Sequence, residues 1–324
     1  MGVVWILVFI AHLLSGIGCA EREEYMQERV EIFRRNFPYI VRDDGAVRRI
    51  LSHPENRYIE RRREDGTLVG LSVVNRNVIL LLCVDEACRQ QGLGTQLLEE
   101  SERIIREAGY ATCSVGVGFD YLMPGVPTSK HYFPVQNIRL YEGLDSGASY
   151  FFEKRGYRHS WEDGDCFDMQ FPMKDLEETP HQIGDTIEGI TYRFAVPADR
   201  EGILQCTDDA CEEFSSYYAD EGLYEPESRE RVLIAVKEQE VCGALMVGPE
   251  SDIRDLGSIG CTAVKKAWQG RHIATRLVLL GTKALKEMGM KEAFLSYTYS
   301  GLDRLYGAAG FRIKVFYMMA EKRL

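Results

Sequence analysis

The strongest constraint on this chain is an internal repeat. Ile79–Val115 (ILLLCVDEACRQQGLGTQLLEESERIIREAGYATCSV) and Ile259–Leu295 (IGCTAVKKAWQGRHIATRLVLLGTKALKEMGMKEAFL) align at an offset of 180 residues. That offset sets Val84 on Val264, Arg89 on Gln269, Gly94 on Ala274 and Gly109 on Gly289. Both stretches read as an apolar strand, a short polar loop, a helix, a glycine stop and another strand. Leu93, Leu97, Leu98, Ile104, Ile105 and Ala108 keep the helical period in the first helix. In the second, Ile273, Leu277, Leu280, Ala284, Leu285 and Met288 do so. Gly109 and Gly289 follow where a left-handed residue closes a helix. Upstream of each, a hairpin is predicted: Arg57–Glu64 and Leu68–Val74 around Asp65-Gly66, and Val232–Val236 with Val241–Val247. The pattern predicts two homologous α/β units, which suits a chain of 324 residues at about 100–200 residues per domain.

The polar stretch Asp175–Glu188 lacks apolar periodicity and separates the halves. The expected organisation is therefore a first domain over 21–175, a linker over 176–188 and a second domain over 189–324. The first twenty residues (MGVVWILVFIAHLLSGIGCA) stand apart as a nearly continuous apolar run. Three readings stay open for them: a signal peptide, though no basic residue precedes the run; a membrane anchor, with Arg22, Arg29, Arg34 and Arg35 leaving the rest cytoplasmic; or an upstream start or extra core element. The 39 basic and 50 acidic residues give a formal charge of −11, the opposite of a nucleic-acid-binding footprint. The nine cysteines are odd in number and form no C-x-x-C pair, and the histidines show no ligand spacing, so neither a disulfide framework nor a metal site is expected. Free thiols in apolar runs fit a reducing, cytoplasmic setting.

The loop Arg89-Gln90-Gln91-Gly92-Leu93-Gly94 opens a helix directly after a buried strand. The first turn of a helix carries free N–H groups and the positive end of the dipole, and glycines let that backbone approach an anion closely. A pyrophosphate suits such a cradle. The spacing is neither the dinucleotide nor the nucleoside-triphosphatase fingerprint.

Arg89-x-x-Gly92-x-Gly94 resembles the acyl-CoA pyrophosphate loop of the GNAT superfamily of N-acyltransferases, and Gln269-Gly270-Arg271-His272-Ile273-Ala274 resembles it again. Leu305-Tyr306-Gly307-Ala308-Ala309-Gly310-Phe311 is similar to the family's closing L-Y-x-x-x-G-F, of which Phe151-Phe152-Glu153-Lys154-Arg155-Gly156-Tyr157 is a variant. The resemblance runs in two copies from about Glu24 to the C-terminus. It implies two tandem domains, each a mixed, mostly antiparallel twisted sheet flanked by helices. It also implies acetyl-CoA, or a related acyl-CoA, as co-substrate. Amides of Gln91, Gly92, Leu93, Gly94 and Thr95, and of Arg271, His272, Ile273, Ala274 and Thr275, would then hold the pyrophosphate. Arg89, Gln269 and Gly270 complete those loops. The strand ends Leu82, Cys83 and Val84, and Ile259–Cys261, would pair with the pantetheine arm and polarise the thioester. Tyr306 matches the tyrosine that protonates the departing thiolate.

Each half departs from the pattern in its own place. Phe152 stands at the tyrosine position of the first half, with Tyr150 two residues away. His272 stands at the first loop glycine of the second, where a side chain could crowd or contact the pyrophosphate. The first half is also 26 residues longer between loop and closing motif, the excess lying within 118–142. Asp120, Tyr121, His131 and Tyr132 in this insertion, and Tyr297 and Tyr299 in the second half, are candidate contacts to an acceptor; a packed surface loop and plain strand packing are the alternatives. The expectation is transfer of an acetyl or short acyl group to a primary amine of a small molecule by direct attack. The alternative is an acyl-CoA-binding regulatory or structural protein with one or both domains degenerate. No nucleic-acid partner is expected, and a membrane only if residues 1–20 are an anchor.

Overall fold

The computed structural model describes residues 6–8, 19–116, 121–177, 180–211, 214–250 and 253–324. They form two compact units, each interrupted in sequence: 1–132, 141–166 and 316–324 in the first, 133–140 and 167–315 in the second.

In the first unit, β1 (Ile6–Val8) precedes α1 (Cys19–Asn36) and α2 (Asp44–Leu51). The predicted hairpin follows as β2 (Arg57–Arg62) and β3 (Leu68–Asn75), then β4 (Val78–Val84), α3 (Leu93–Glu107) and β5 (Thr112–Val115). After β6 (Val126–Thr128), α4 (Gly147–Glu153) and β7 (Arg158–His159), the chain enters β8 (Cys166–Pro172). The second unit continues with β9 (Thr186–Ile187), β10 (Ile190–Phe194), α5 (Arg200–Ala210), β11 (Arg231–Lys237), β12 (Glu240–Pro249) and β13 (Leu256–Val264). It is completed by α6 (Ile273–Glu287), β14 (Glu292–Tyr299), α7 (Asp303–Ala308) and β15 (Arg312–Met318), and the chain ends in β16 (Ala320–Arg323).

The repeat is realised almost residue for residue. α3 and α6 each have 15 residues and bury Leu93, Leu97, Leu98 and Ile105, and Ile273, Leu277, Leu280, Ala284 and Leu285, of the stripe read from the sequence; Ile104 and Met288 are half-buried and Ala108 is exposed. Gly109 and Gly289 adopt φ of 88° and 85°, so both helices close through a left-handed glycine. In the first unit α3 covers a core that includes Ile79, Val84, Leu97, Ile105 and Phe152. In the second unit a core of Ile203, Tyr218, Val232, Ile234 and Ala244 lies on the side of the sheet that α5 covers. Each sheet has a single parallel step among its assigned pairings, β4 with β5 and β13 with β14, where a helix makes the crossover.

Strand order shows what the repeat does not. The first unit's sheet runs β1-β2-β3-β4-β5-β16-β7, so the last strand of the chain lies between β5 and β7. In the second unit the order β15-β8-β14-β13-β12-β11-β10-β9 puts β8 in the equivalent slot, between β15 and β14. The strand ending each sequence repeat thus completes the other repeat's sheet. Cutting the chain at a linker over 176–188 therefore separates strands from the sheets they belong to, and the contiguous division expected from composition is not the division into compact units. The physical reason is that the apolar pattern of β8 states which residues are buried but not which sheet buries them, and that β16 carries a single buried apolar residue, Ala320, too little pattern to assign it to either sheet.

Of the apolar N-terminal segment, Ile6–Val8 pair antiparallel with Glu60–Arg62 at the edge of the first sheet, and residues 1–5 and 9–18 lie outside the described residues. Among the described residues, no helix is long and apolar enough to cross a membrane. The insertion is not only a loop: Leu122, Met123 and Val126 are buried, and β6 pairs with Phe316–Met318 in the first unit. Its segment 133–140 belongs to the second unit.

Candidate functional site

Both units build the same mouth. Among the described residues, β4 and β5 pair through Val78–Ile79 with Ser114–Val115, and β13 and β14 through Leu256–Ser258 with Glu292–Phe294. In the second unit β13 runs on to Val264 and β14 to Tyr299 with no further pairing between them, so among the described residues the Ile259–Val264 edge has no ladder partner on that side. In each unit a helix N-terminus follows the end of the inner strand, α3 after Val84 and α6 after Val264.

Leading into those helices, the two loops share one backbone path. Gln90 and Gly92 have φ of 61° and 82°, and their counterparts Gly270 and His272 have 77° and 58°. Each loop thus needs two left-handed residues and supplies one glycine, at opposite positions. His272 does not divert the chain; it caps α6 as Gly92 caps α3, neither with a side-chain hydrogen bond. The first-turn amides of Leu93–Thr95 and Ile273–Thr275 have no carbonyl four residues back within the helix to bond to. A second feature is also duplicated. Arg89 Nε donates to the Val84 carbonyl at 2.9 Å and Gln269 Nε2 to the Val264 carbonyl at 3.3 Å, each latching the loop to the end of its strand. Arg89 also donates from Nη2 to Asn36 Oδ1 at 3.0 Å. These side chains shape the cradle from behind, and Gln91 and Arg271 are exposed at its rim, Arg271 over the Trp268 ring.

The units differ around that shared frame. In the second, Trp268, Gln269, Gly270 and the first turn of α6 line a 250 Å³ cavity. Leu245 on β12 faces two residues of β13, Cys261 and Thr262, because pairing jumps from Ala244–Ala263 to Met246–Gly260. At this bulge Cys261 has φ of 47°, and its carbonyl accepts the Tyr218 hydroxyl at 2.7 Å. Thr262 Oγ1 lies 3.0 Å from the Tyr306 hydroxyl. Burial raises the Tyr306 phenol to about 12, with the Thr262 hydrogen bond opposing and Cys261 and Tyr299 adding to the rise. Tyr306 therefore keeps its proton across the neutral range. Burial likewise lifts the Cys261 thiol to about 12, which excludes it as a ready thiolate nucleophile.

The helix carrying Tyr306 is braced at its start. Asp303, buried, accepts the amides of Gln136 at 2.8 Å and Gly301 at 3.0 Å, and Asn137 Nδ2 donates to the Asp303 carbonyl at 3.0 Å. Gly307 has no side chain because Asn137 fills that space: an added Cβ would lie 1.9 Å from Asn137 Nδ2. The insertion thus reaches α7.

In the first unit the equivalent position is closed. Phe152 is buried between Phe151 and Tyr157, both edge-on to it. Tyr150 is exposed, with the Lys154 ammonium over its ring, and so does not replace the missing hydroxyl in the core. The bulge is displaced too, with Leu80 the extra residue, and Cys83 is fully buried with its thiol raised by that burial to about 12. Arg155 stacks on Phe151 and donates to Thr95 Oγ1 at 2.6 Å, bringing a guanidinium against the first turn of α3.

Of the acceptor-side candidates, Asp120 lies outside the described residues. Tyr121 sits under the Arg42 guanidinium. Tyr132 bonds Glu153 at 2.7 Å and stacks on His159, and His131 packs on Phe316, which ties both into the first unit's structure. Tyr297 and Tyr299 are exposed on β14 beyond its pairing with β13. Tyr297 has φ of 54°, and its amide turns to Asp168 Oδ1 at 3.0 Å. Thr262, Tyr218, Asp168 and Asp303 escaped the sequence reading because none lies in a motif. The strand bulge brings Thr262 and Tyr218 together, the exchanged β8 brings Asp168, and α7 itself carries Asp303. Among the described residues no group of His, Cys, Asp and Glu could hold a metal ion.

Comparison with known proteins agrees with this geometry. The family model described as the acetyltransferase (GNAT) family matches twice, over residues 21–120 and 201–311. No curated protein sequence matches the chain. Among solved structures, the GCN5-related glucosamine N-acetyltransferase region of a fungal multi-domain GH3 beta-N-acetylglucosaminidase superposes with a TM-score of 0.68 at 16% identity, covering 99% of this chain and 38% of that one. This chain thus spans well under half of that protein's length. A tandem GNAT protein from the clavulanic acid biosynthesis pathway gives 0.63 at 13% identity, covering 99% and 98% of the two chains. A GCN5-related N-acetyltransferase from Sphaerobacter thermophilus gives 0.60 at 20%, covering 91% of each. At these identities the likeness concerns the fold, whereas the doubled family match covers most of the chain. The chain belongs to the GNAT acetyltransferase family, and it carries that fold twice.

Proposed function

We propose that the protein moves an acetyl or short acyl group from its CoA thioester to a primary amine of a small molecule, and that the second unit performs the chemistry. The observation that carries this reading is the Tyr306 hydroxyl, buried and still protonated, beside the Thr262 hydroxyl on the β13 bulge. The first turn of α6 would hold the pyrophosphate, and amides along that edge of β13 would stabilise the thioester oxygen as negative charge develops. The neutral amine nitrogen attacks the acyl carbon and gives up its surplus proton to solvent, the carbon–sulfur bond breaks, and Tyr306 gives its proton to the departing sulfur and regains one from solvent. Tyr297 and Tyr299 would flank the acceptor. The charge of −11 favours a cationic amine, an attraction that should weaken as salt rises.

The first unit supports a different role. Phe152 has no proton to give, whereas the α3 cradle with Arg155 at its first turn suits retention of an acyl-CoA without turnover. Tyr306→Phe should lower kcat about 10²-fold and leave the acetyl-CoA KM nearly unchanged. An undiminished kcat would remove Tyr306 from the mechanism. Because burial holds this phenol near 12, its ionisation should impose no alkaline fall in rate below about pH 11. Rate assays and calorimetric titration of acetyl-CoA into Gly92→Glu and Ala274→Glu variants separate the units: each should lose one acetyl-CoA site, Gly92→Glu should retain turnover and Ala274→Glu should lose it.

A further inference from the structure

A cleft of 590 Å³ opens in the second unit, far from the loop site. It lies at the C-terminal end of α6, and the 15 residues of that helix separate it from the cradle by about 22 Å. Six cations line it, Arg139, Lys174, Lys286, Lys291, Arg312 and Lys314, against two carboxylates, Asp175 and Glu292. On a chain of net charge −11 such a concentration runs against the composition. Local ion pairing accounts for only part of it. Among the described residues, the side chains of Arg139, Lys174 and Lys286 have no carboxylate within ion-pair distance. Lys291 pairs with Asp255 at 2.7 Å, and Glu292 accepts from Gln170 at 2.6 Å. Arg312 spends Nη1 on the Phe311 carbonyl at 2.8 Å. Lys314 is pushed below its ordinary range by burial and then by the neighbouring charge of Arg139, with Glu292 opposing. Cations held close enough to repel one another are relieved by a multivalent anion. Two guanidinium forks favour phosphate oxygens, and Pro172, Met173 and Met290 add an apolar wall.

We infer that this cleft is a binding site for a small molecule carrying two or more phosphate groups, separate from the acyl-CoA site. The inference rests on the second unit's surface and stands whether or not the unit transfers acyl groups. The test is calorimetric titration of inorganic tripolyphosphate into the full chain at low and high salt. Three proteins are compared: wild type, the pair Arg139→Gln/Lys314→Gln, and the exposed pair Lys174→Gln/Lys286→Gln. Wild type should bind at one such site, more weakly as salt rises. Each cation removed should weaken binding about two- to fivefold, so each pair should lose about four- to 25-fold. Acetyl-CoA binding should be unchanged in the exposed pair, which separates this site from the loops. Should the pair that includes the half-buried Lys314 fail to fold, the pair at Lys174 and Lys286 still decides. Absence of tripolyphosphate binding in wild type, or binding that neither pair alters, would overturn the inference.

Discussion

At the scale of single residues, the two loops show how a motif can erode without its geometry being lost. A non-glycine residue held at left-handed φ costs on the order of 1 kcal/mol, and each loop bears that cost once, at Gln90 or at His272. A Cβ on Gly92 would meet nothing within 4 Å, so the expense of replacing it is conformational alone. A Cβ on Gly94 would rest 3.4 Å from the Phe151 ring, an ordinary contact. Gly92→Ala should therefore destabilise the first unit by about 1 kcal/mol. Gly94→Ala should change stability by less than about 0.5 kcal/mol, in keeping with Ala274 at the matching place. His272→Gly should be neutral or slightly stabilising. Urea melts of the three variants check this; equal losses at Gly92 and Gly94 would show that contacts, not backbone, set the requirement. The glycine pattern was legible in the sequence. The left-handed state of His272 was not, because histidine gives no local sign of it.

At the scale of elements, the strand–loop–helix unit was readable because its period, its loop and its glycine stop agree with one another. The insertion was harder. A prolyl strand of three residues, Val126–Thr128, carries too little alternation to stand out from a loop, and the contact of 133–140 with α7 spans more than 160 positions of sequence. That contact has a functional consequence if Tyr306 is the proton donor. Asp303 fixes the start of a helix only six residues long, and removing its carboxylate leaves the Gln136 and Gly301 amides without their acceptor, at about 1–3 kcal/mol each. Asp303→Ala should lower kcat by about tenfold with little change in the acetyl-CoA KM, because the loop cradle is built by other residues. Asp303→Asn, which keeps a carbonyl oxygen, should restore part of the rate. A raised KM at unchanged kcat would instead place the effect on the cradle.

At the scale of the whole molecule, the exchange of β8 and β16 decides what can fold by itself. A fragment ending at residue 175 contains every motif of the first repeat yet lacks the strand between β5 and β7. It also loses the Leu324 amide bond to the Ala111 carbonyl at 2.9 Å and the Lys322 ammonium that holds Glu102 at 2.8 Å, next to the buried Tyr157 hydroxyl. A fragment starting at 189 lacks β8, and with it the Phe171 ring against Phe311 and the Asp168 carboxylate that receives the Tyr297 amide. Losing an interior strand leaves two unpaired edges and an uncovered core, more than a small sheet can tolerate. Periodicity could not reveal this, since a strand pattern states which face is buried and not which sheet does the burying. Each fragment alone should therefore be unfolded or aggregated, and the two expressed together should recover a folded complex. In the full chain, deleting Ala320–Leu324 should expose the amides of α3 to hydrogen exchange before those of α6. Equal protection of the two helices after that deletion would mean that the first sheet closes without the chain's last strand, and that the exchange is incidental to its stability.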